Sequence, residues 1–387
     1  MTTIRLPTKA GVMEDYRLSG APIPVKRPAA PFNRIALAAA HIVVKPLSDA
    51  DPSGAPDIDW GPTIAFRQHL LDLALGVAEA MDTAQRGMGL TWEGAHELIR
   101  RSLAAAEGRK GAMIYSGVGT DHLDPNDARS LDDVIMAYKQ QLHAVQKLGG
   151  RVILMASRAL VRVAKSPADY AKVYSSVLAE AEHPVILHWL GEMFDPQLAG
   201  YWGGSRFPDT METALGLIGA NARKVEGIKI SLLDAQKEID MRRRLPKGVR
   251  MYTGDDFNYP ELIAGDSKGH SEALLGIFDA IAPAASAGLA ALAVGDTAKY
   301  HALLDPTVPL SRLIFRAPTQ YYKTGVVFLA WLNDHQDHFV MAGGQQAMRP
   351  ITYLSEAFRL ADQAGLLGDP DRAAKRMRSL LAVYGVE

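Results

Sequence analysis

Val225-Glu226-Gly227-Ile228-Lys229-Ile230-Ser231 is the stretch on which the reading of this chain turns, together with Met251-Tyr252-Thr253-Gly254-Asp255-Asp256 downstream of it. Side chains alternate across a strand. If the first stretch is one, Ile228 and Ile230 share a face, and Gly227, Lys229 and Ser231 share the other. The lysine is then aimed away from the apolar layer and into whatever the strand lines. A desolvated lysine gives up its proton more readily, and a neutral amine attacks a carbonyl carbon. The pattern points to a Schiff-base enzyme. It also describes a surface lysine at the end of an edge strand, and the segment alone does not separate the two.

The bulk properties narrow the class. The chain has 387 residues, 48% of them hydrophobic and 22% charged, as in ordinary globular enzymes. A net charge of −1 provides no field to draw in nucleic acid or an anionic membrane. The basic run Arg242-Arg243-Arg244 with Lys247 reads as a solvated helix end. There is no cysteine, which excludes disulfides, thiolate nucleophiles and cysteine-bound metals. The start, Met1 to Pro7, lacks a signal-peptide core, and the longest apolar stretch, Ile281 to Val294, is interrupted by Pro283 and Gly288. These features predict a cytoplasmic protein whose partner is a small molecule, with no nucleic acid and no membrane.

Apolar runs alternate with helical patterns along the chain. Strands are expected at Ile35 to Val44, Ala80 to Thr83, Ala112 to Gly117, Arg151 to Ser157, Val185 to Trp189, Val225 to Ser231, Val249 to Thr253 and Ser271 to Ile277. Between them, helices are expected at Trp60 to Ala80, Thr91 to Glu107, Ser130 to Leu148, Ser166 to Glu182, Thr210 to Asn221 and Asp234 to Arg244. Apolar strands each followed by a helix mean a parallel sheet covered by helices, and about eight such units favour a closed (β/α)8 barrel, an α/β TIM barrel. After Leu289 the pattern is helical only: Leu310 to Leu332 interrupted at Pro318, Ile351 to Ala364, and Pro370 to Tyr384. The expected organisation is a barrel with its N-terminal segment over 1–300 and a C-terminal helical extension over 301–387. No dinucleotide fingerprint or Walker-type loop is present.

Active groups of such a barrel sit at the C-terminal ends of its strands. That rule selects His188, Glu192 and Asp195 around the fifth strand and Lys229 and Ser231 on the sixth. It also selects Asp255 and Asp256 after the seventh, Tyr115 on the third, and Asp82 and Thr83 after the second. His188 can shuttle protons near neutral pH; it also fits a core histidine bonded to a carbonyl. One of Asp255 and Asp256 is expected to fix the loop and the other to face the cavity, although aspartates after a glycine also make plain turns. His335 and His338, beside Asp334, imitate a metal pair but read as a solvated helix end.

Five segments, in order and over roughly residues 35–290, resemble the dihydrodipicolinate synthase and N-acetylneuraminate lyase superfamily of class I aldolases. Gly227-Ile228-Lys229 is similar to that family's Schiff-base strand, and Thr253-Gly254-Asp255-Asp256 to its Ser-Gly-Asp-Asp. Ser116-Gly117-Val118-Gly119 is similar to its Ala-Gly-Val-Gly, Leu90-Thr91-Trp92-Glu93 to its Leu-Thr-x-Glu, and Pro184 to His188 to its Pro-Val-Ile-Leu-Tyr. His188 thus stands where that motif has tyrosine. The family's catalytic tyrosine has no clear counterpart. Its carboxylate-binding Gly-Thr-Thr-Gly-Glu falls on Asp82-Thr83-Ala84-Gln85-Arg86, where Arg86 offers a different carboxylate contact. The chain resembles a divergent branch of the superfamily.

The resemblance implies a class I lyase, an aldolase or dehydratase, acting on a keto acid or sugar-derived carbonyl compound. Lys229 forms the imine and His188 moves protons. Thr83, Asp82, Tyr115, Ser231, Asp255 and Asp256 bind substrate or order the loop. No metal and no cofactor are expected. Two rivals stay open: a divalent-metal lyase or isomerase using His188, Glu192, Asp195 and the Asp255-Asp256 pair, and an inactive ligand-binding barrel. A homo-oligomer, dimer or tetramer, is expected from the apolar stripes Leu310, Leu313 and Ile314 and Val326, Val327, Leu329 and Ala330.

Overall fold

A computed structural model describes residues 2–386. Its parallel strands close into one barrel: β1 (Ala36–Ala39), β2 (Gly76–Glu79), β3 (Ile114–Val118), β4 (Arg151–Leu154), β5 (Val185–Leu190), β6 (Val225–Ser231), β7 (Arg250–Thr253) and β8 (Glu272–Leu275). Neighbours pair in chain order, and β8 returns to β1 with Ala273 opposite Ala36. The strands are apolar on both faces because both are covered. Inward, Leu37, Ala78, Ile153, Ile186, Tyr252 and Leu274 pack together. Outward, Ala38, Val77, Ile228 and Ile230 join the larger cluster made with the surrounding helices. The expected α/β barrel is therefore the observed one.

Local signals set most helix starts. Thr91 accepts from the Gly94 amide and Asp234 from the Lys237 amide. Ser130 forms a capping box with Asp133, and Ser166 one with Asp169. Each such cap stabilises by about 1 kcal/mol.

Tertiary packing overrides the sequence pattern in four places. The helix expected to reach Ala80 ends at Asp72, Ala74 turns left-handed with φ 60°, and the second strand is Gly76–Glu79. A Cβ on Gly76 would crowd the end of the Leu37 side chain and lie 3.0 Å from the Met113 carbonyl oxygen, so glycine suits the close approach of β2 to its neighbours there. Asp82–Ala84, expected at the end of a strand, is a 3₁₀ turn. Short apolar runs carry no period that separates helix from strand, which explains the slip. The first strand is shorter than Ile35 to Val44 because the chain past Ala39 leaves the ladder, and Arg67 hydrogen-bonds the carbonyls of Ala40 and His41. Lastly, an antiparallel hairpin, Thr3–Pro7 with Met13–Arg17, was not foreseen. It packs on helix Ile351–Gln363 rather than on the barrel, through Arg359 to the Leu6 and Pro7 carbonyls at 3.1 Å and Tyr16 to Asp362 at 2.7 Å.

The two barrel ends differ. At the N-terminal end, the hydroxyls of Tyr115 and Tyr252 donate to Glu226 at 3.0 and 2.8 Å, and Arg151 pairs with the same carboxylate at 2.6 Å. That network plugs the bottom. At the C-terminal end, the helices Val308–Ile314 and Tyr322–Leu332 lie against the strand-end loops. Ser311 bonds the Asp256 carbonyl, Gln85 the Ala342 carbonyl at 2.9 Å, and Gln345 the Met88 carbonyl at 2.6 Å. The apolar stripes from which an oligomer was expected are covered inside the chain: Leu310, Ile314, Val326 and Leu329 are fully buried. They carry no argument for a second subunit. No helix among the described residues is long and apolar enough to cross a membrane.

His335, expected at a solvated helix end, is instead packed. Its ring sits 4.6 Å from that of His69 and 4.9 Å from that of Phe66, between the barrel layer and the C-terminal helices. His338 points elsewhere, its Nδ1 accepting from the Val340 amide at 3.1 Å. Burial first, then the neighbouring His69 and His41, hold the His335 imidazole down to about 3. The unfolded chain therefore binds a proton that the folded chain refuses, and stability falls as pH drops below about 6.5, by about 1.4 kcal/mol per pH unit for one such group. The melting temperature of wild type should fall more steeply between pH 7 and pH 5 than that of His335→Gln. Equal slopes in a thermal melt series would contradict this.

Candidate active site

Lys229 points inward from the C-terminal half of β6, as strand alternation requires, and is 7% exposed. Its register partner on β5 is His188. Burial lowers the Lys229 ammonium from its ordinary value, opposed by the charges of Asp256 and then Asp82. The lysine side chain has room because a glycine, Gly254, directly follows β7. A Cβ on Gly254 would stand 2.6 Å from Lys229 Cε and 2.3 Å from Ser231 Oγ. This gives the Thr253-Gly254-Asp255-Asp256 turn a steric reason.

The two aspartates divide as the sequence suggested. Asp255 accepts from the amides of Phe257 at 2.8 Å and Asn258 at 3.1 Å and from the Asn258 side chain at 2.9 Å, so it shapes the loop. Asp256 accepts from the Ile277 amide at 2.9 Å and faces the lysine. Burial pushes its carboxyl up to about 7, against the pull of Ile277 and of Lys229. Burial thus displaces both Lys229 and Asp256 toward their neutral forms.

His188 is buried, with Nε2 3.3 Å from Ser231 Oγ and Nδ1 without a partner among the described residues. Burial, then the charge of Lys229, holds it well below the usual imidazole range, so it is neutral. Thr83 Oγ1 meets the hydroxyl of Tyr322 at 2.8 Å. Tyr322 opens the helix Tyr322–Leu332, and nothing in the sequence near the barrel motifs pointed to it.

A cavity of about 110 Å³ opens beside His188, lined among others by Asp82, Thr120, Arg158 and Asp195. Arg86, the expected carboxylate contact, is not free. Its guanidinium is bound to Asp121, Gln141 and the carbonyls of Ala80 and Gly117. All five of its donors face protein acceptors. Arg158 takes the open place: Nε bonds Asp195 at 2.6 Å, and its outer nitrogens lie on the cavity side near Gly87. Lys323 stands close by, brought down to about 8 by burial against the charges of Asp82 and Asp195. Arg158 was legible only as the residue following a strand end, and Lys323 had no signal.

Other expected residues do not converge here. Tyr115 belongs to the plug at the opposite end, because it is the second residue of β3 and not one of its last. Glu192 is exposed and Asp195 is held by Arg158. Among the described residues no three His, Cys, Asp or Glu side chains are grouped to hold a metal ion.

The architecture is that of the dihydrodipicolinate synthases. YagE, a prophage protein of the dihydrodipicolinic acid synthase family from E. coli K12, aligns with a TM-score of 0.63 at 12% identity, over 92% of this chain and 99% of its own. Dihydrodipicolinate synthase from Acinetobacter baumannii gives 0.61 at 17%, over 86% and 99%. That from Aquifex aeolicus gives 0.60 at 12%, over 91% and 98%. At these identities the likeness is one of fold. No curated protein matches the chain. The model for DUF993, described as a protein of unknown function, matches residues 4–386, and the chain belongs to that family.

Gly254→Ala tests the steric account. The added methyl should displace the lysine side chain and slow any chemistry of its amine by about 10²-fold, the scale of a 1 Å misplacement. Intact-mass labelling with an amine-reactive aldehyde and reductant would read it. Labelling of Lys229 at the wild-type rate in Gly254→Ala would show the contact to be slack.

Proposed function

We propose that this chain is a class I lyase, an aldolase or dehydratase, whose Lys229 forms an imine with a keto acid or a sugar-derived carbonyl compound. The observation that carries this reading is the buried, inward-facing Lys229 at the productive end of the barrel, its ammonium disfavoured by burial and supported by the charges of Asp256 and Asp82. A lone buried amine is costly to keep charged, and its neutral form is nucleophilic. The fold alone would not carry the assignment, since barrels host many chemistries.

The roles follow from the geometry. Neutral Lys229 adds to the carbonyl carbon, and the iminium withdraws electrons from the neighbouring bond. His188, which lines the cavity, moves a proton at the substrate as that bond breaks or forms. Ser231 orients His188, and Asp255 holds the loop that carries Asp256. Thr120 and Asp195 line the space where hydroxyls of a polar substrate would lie, and the outer nitrogens of Arg158 offer a contact for an anionic end. YagE and the Acinetobacter baumannii enzyme were solved with pyruvate. In this chain Asp82 occupies the first position of the segment that resembles the family's carboxylate-binding motif, which favours a hydroxylated substrate over pyruvate itself.

Borohydride trapping against a panel of keto acids and keto sugars, read by intact mass, tests the reading. Wild type should gain one adduct at Lys229, and Lys229→Ala should gain none. Lys229→Arg should fold and lose turnover, since arginine keeps the charge but stays protonated. Near-normal turnover by Lys229→Ala would overturn the mechanism. The pH dependence has a definite sign. The Asp256 charge holds the proton on Lys229, so Asp256→Asn should move the rising limb of adduct formation to lower pH. A shift to higher pH would show that Asp256 does not act on the amine.

A further inference from the structure

A second cavity, of about 100 Å³, lies between the barrel layer and the C-terminal helices. It shares no lining residue with the cavity beside His188. The short helix Ile277–Ala280 that follows β8 contributes Asp279 and Ala280, and helix Trp60–Asp72 contributes His69. Helix Tyr322–Leu332 adds apolar side chains, and His335 comes from just beyond its end. The exposed side chain of Val25 borders the cavity, so a small solute can reach it from solvent.

Its polar atoms are left over from the packing. Asp279 is 4% exposed; its Oδ2 accepts from the backbone amide of His41 at 2.8 Å and from that ring's Nδ1 at 2.8 Å. Asp279 Oδ1 has no partner among the described residues, and neither has Nε2 of His41 or of His69. A carboxylate only accepts, so Nδ1 of His41 carries the proton and Nε2 of the neutral ring is a bare acceptor. Phe66 gathers the three imidazoles, with ring centres of His41, His335 and His69 at 4.5, 4.9 and 5.8 Å from its own. Burial lowers both His69 and His335 below the usual imidazole range, so neither supplies a counter-charge at neutral pH. Among the described residues no lysine or arginine lines the cavity, and Asp279 is its only carboxylate. Nor are these side chains grouped to hold a metal ion.

We propose that this cavity binds a small ammonium cation, with Asp279 taking its charge and the neighbouring imidazoles accepting its remaining N–H bonds. A buried carboxylate oxygen without a donor costs free energy, and a cationic N–H donor removes that cost. An ammonium head carries several donors and no acceptor, which is the complement of an acceptor-rich lining. An anion would meet like charge, and an alcohol would bring a single donor and no charge. At the ~30 Å³ that one water occupies, the space takes roughly three heavy atoms. The apolar side chains of helix Tyr322–Leu332 would then cover a short alkyl tail. The site is independent of the Schiff-base reading, since none of its residues takes part in that chemistry.

The test melts the full chain, with no carbonyl compound present, in rising ethylammonium chloride, with ammonium chloride, potassium chloride, ethanol and sodium acetate as parallel series. Ethylammonium should raise Tm along a one-site saturation curve, as a ligand of the folded state does. Potassium, ethanol and acetate should give no such curve. Tighter binding of ethylammonium than of ammonium assigns the site to an alkylamine and the reverse to the free ion; either order upholds the site. Asp279→Asn should weaken ethylammonium roughly tenfold or more, the scale of a lost charge-assisted hydrogen bond. Ala280→Leu keeps the carboxylate but fills the cavity, and should abolish the ethylammonium curve. Lys229→Ala should retain it. The proposal is overturned if wild type shows no saturating rise, if ethanol or potassium matches ethylammonium, or if Asp279→Asn keeps the wild-type midpoint. Loss of the curve in Lys229→Ala would also overturn it, by placing the binding at the barrel mouth. If Asp279→Asn does not fold, an undiminished curve in Ala280→Leu does the same.

Discussion

An amine inside a closed barrel is the constraint around which this molecule is arranged. Lys229 loses hydration on entering the interior, and that loss is compensated only by two carboxylates, at Asp256 and Asp82. The arrangement demands a strand whose alternation turns a lysine inward, a glycine at Gly254 to leave it room, and loops that bring the acids within range. Each demand is met by a different element. The barrel is therefore also what keeps the lysine desolvated.

Closure at both ends follows from the same constraint. The N-terminal end is sealed by a polar cluster in which two tyrosines and an arginine share Glu226. A buried carboxylate with three partners is stable and inert. The C-terminal end is covered by helices whose polar side chains grip the strand-end loops, as Ser311 and Gln345 do. At that end His188 Nδ1 is left without a partner among the described residues. An unsatisfied buried polar atom is costly, and a functional site is where such atoms are tolerated.

At the mouth, the segment Asp82-Thr83-Ala84-Gln85-Arg86 is shaped by its own contacts. Arg86 is a structural tie between loops, and burial, which alone would raise the Asp121 carboxyl, is overcome by the Arg86 charge, leaving Asp121 at about 2. A barrel keeps its backbone while strand-end residues change because those residues contribute little to the packed layers.

Taken by itself, the sequence located most of the strands and helices and offered an inward lysine and a split between Asp255 and Asp256 beside the readings of a surface lysine and a plain turn. These depend on local periodicity, capping and turn chemistry, which are written in neighbouring residues. Its errors arose where local signals were silent. Leu73 to Glu79 reads equally as helix or strand, and Tyr115 was assigned to the mouth because the strand's start could not be fixed to within a residue. Only the tertiary structure could bring Tyr322 to Thr83, occupy Arg86, place Arg158 at the cavity and pack His335 against His69. Those contacts join residues far apart in the chain, and they exist only because barrel closure and the docking of the C-terminal helices bring such distant positions together.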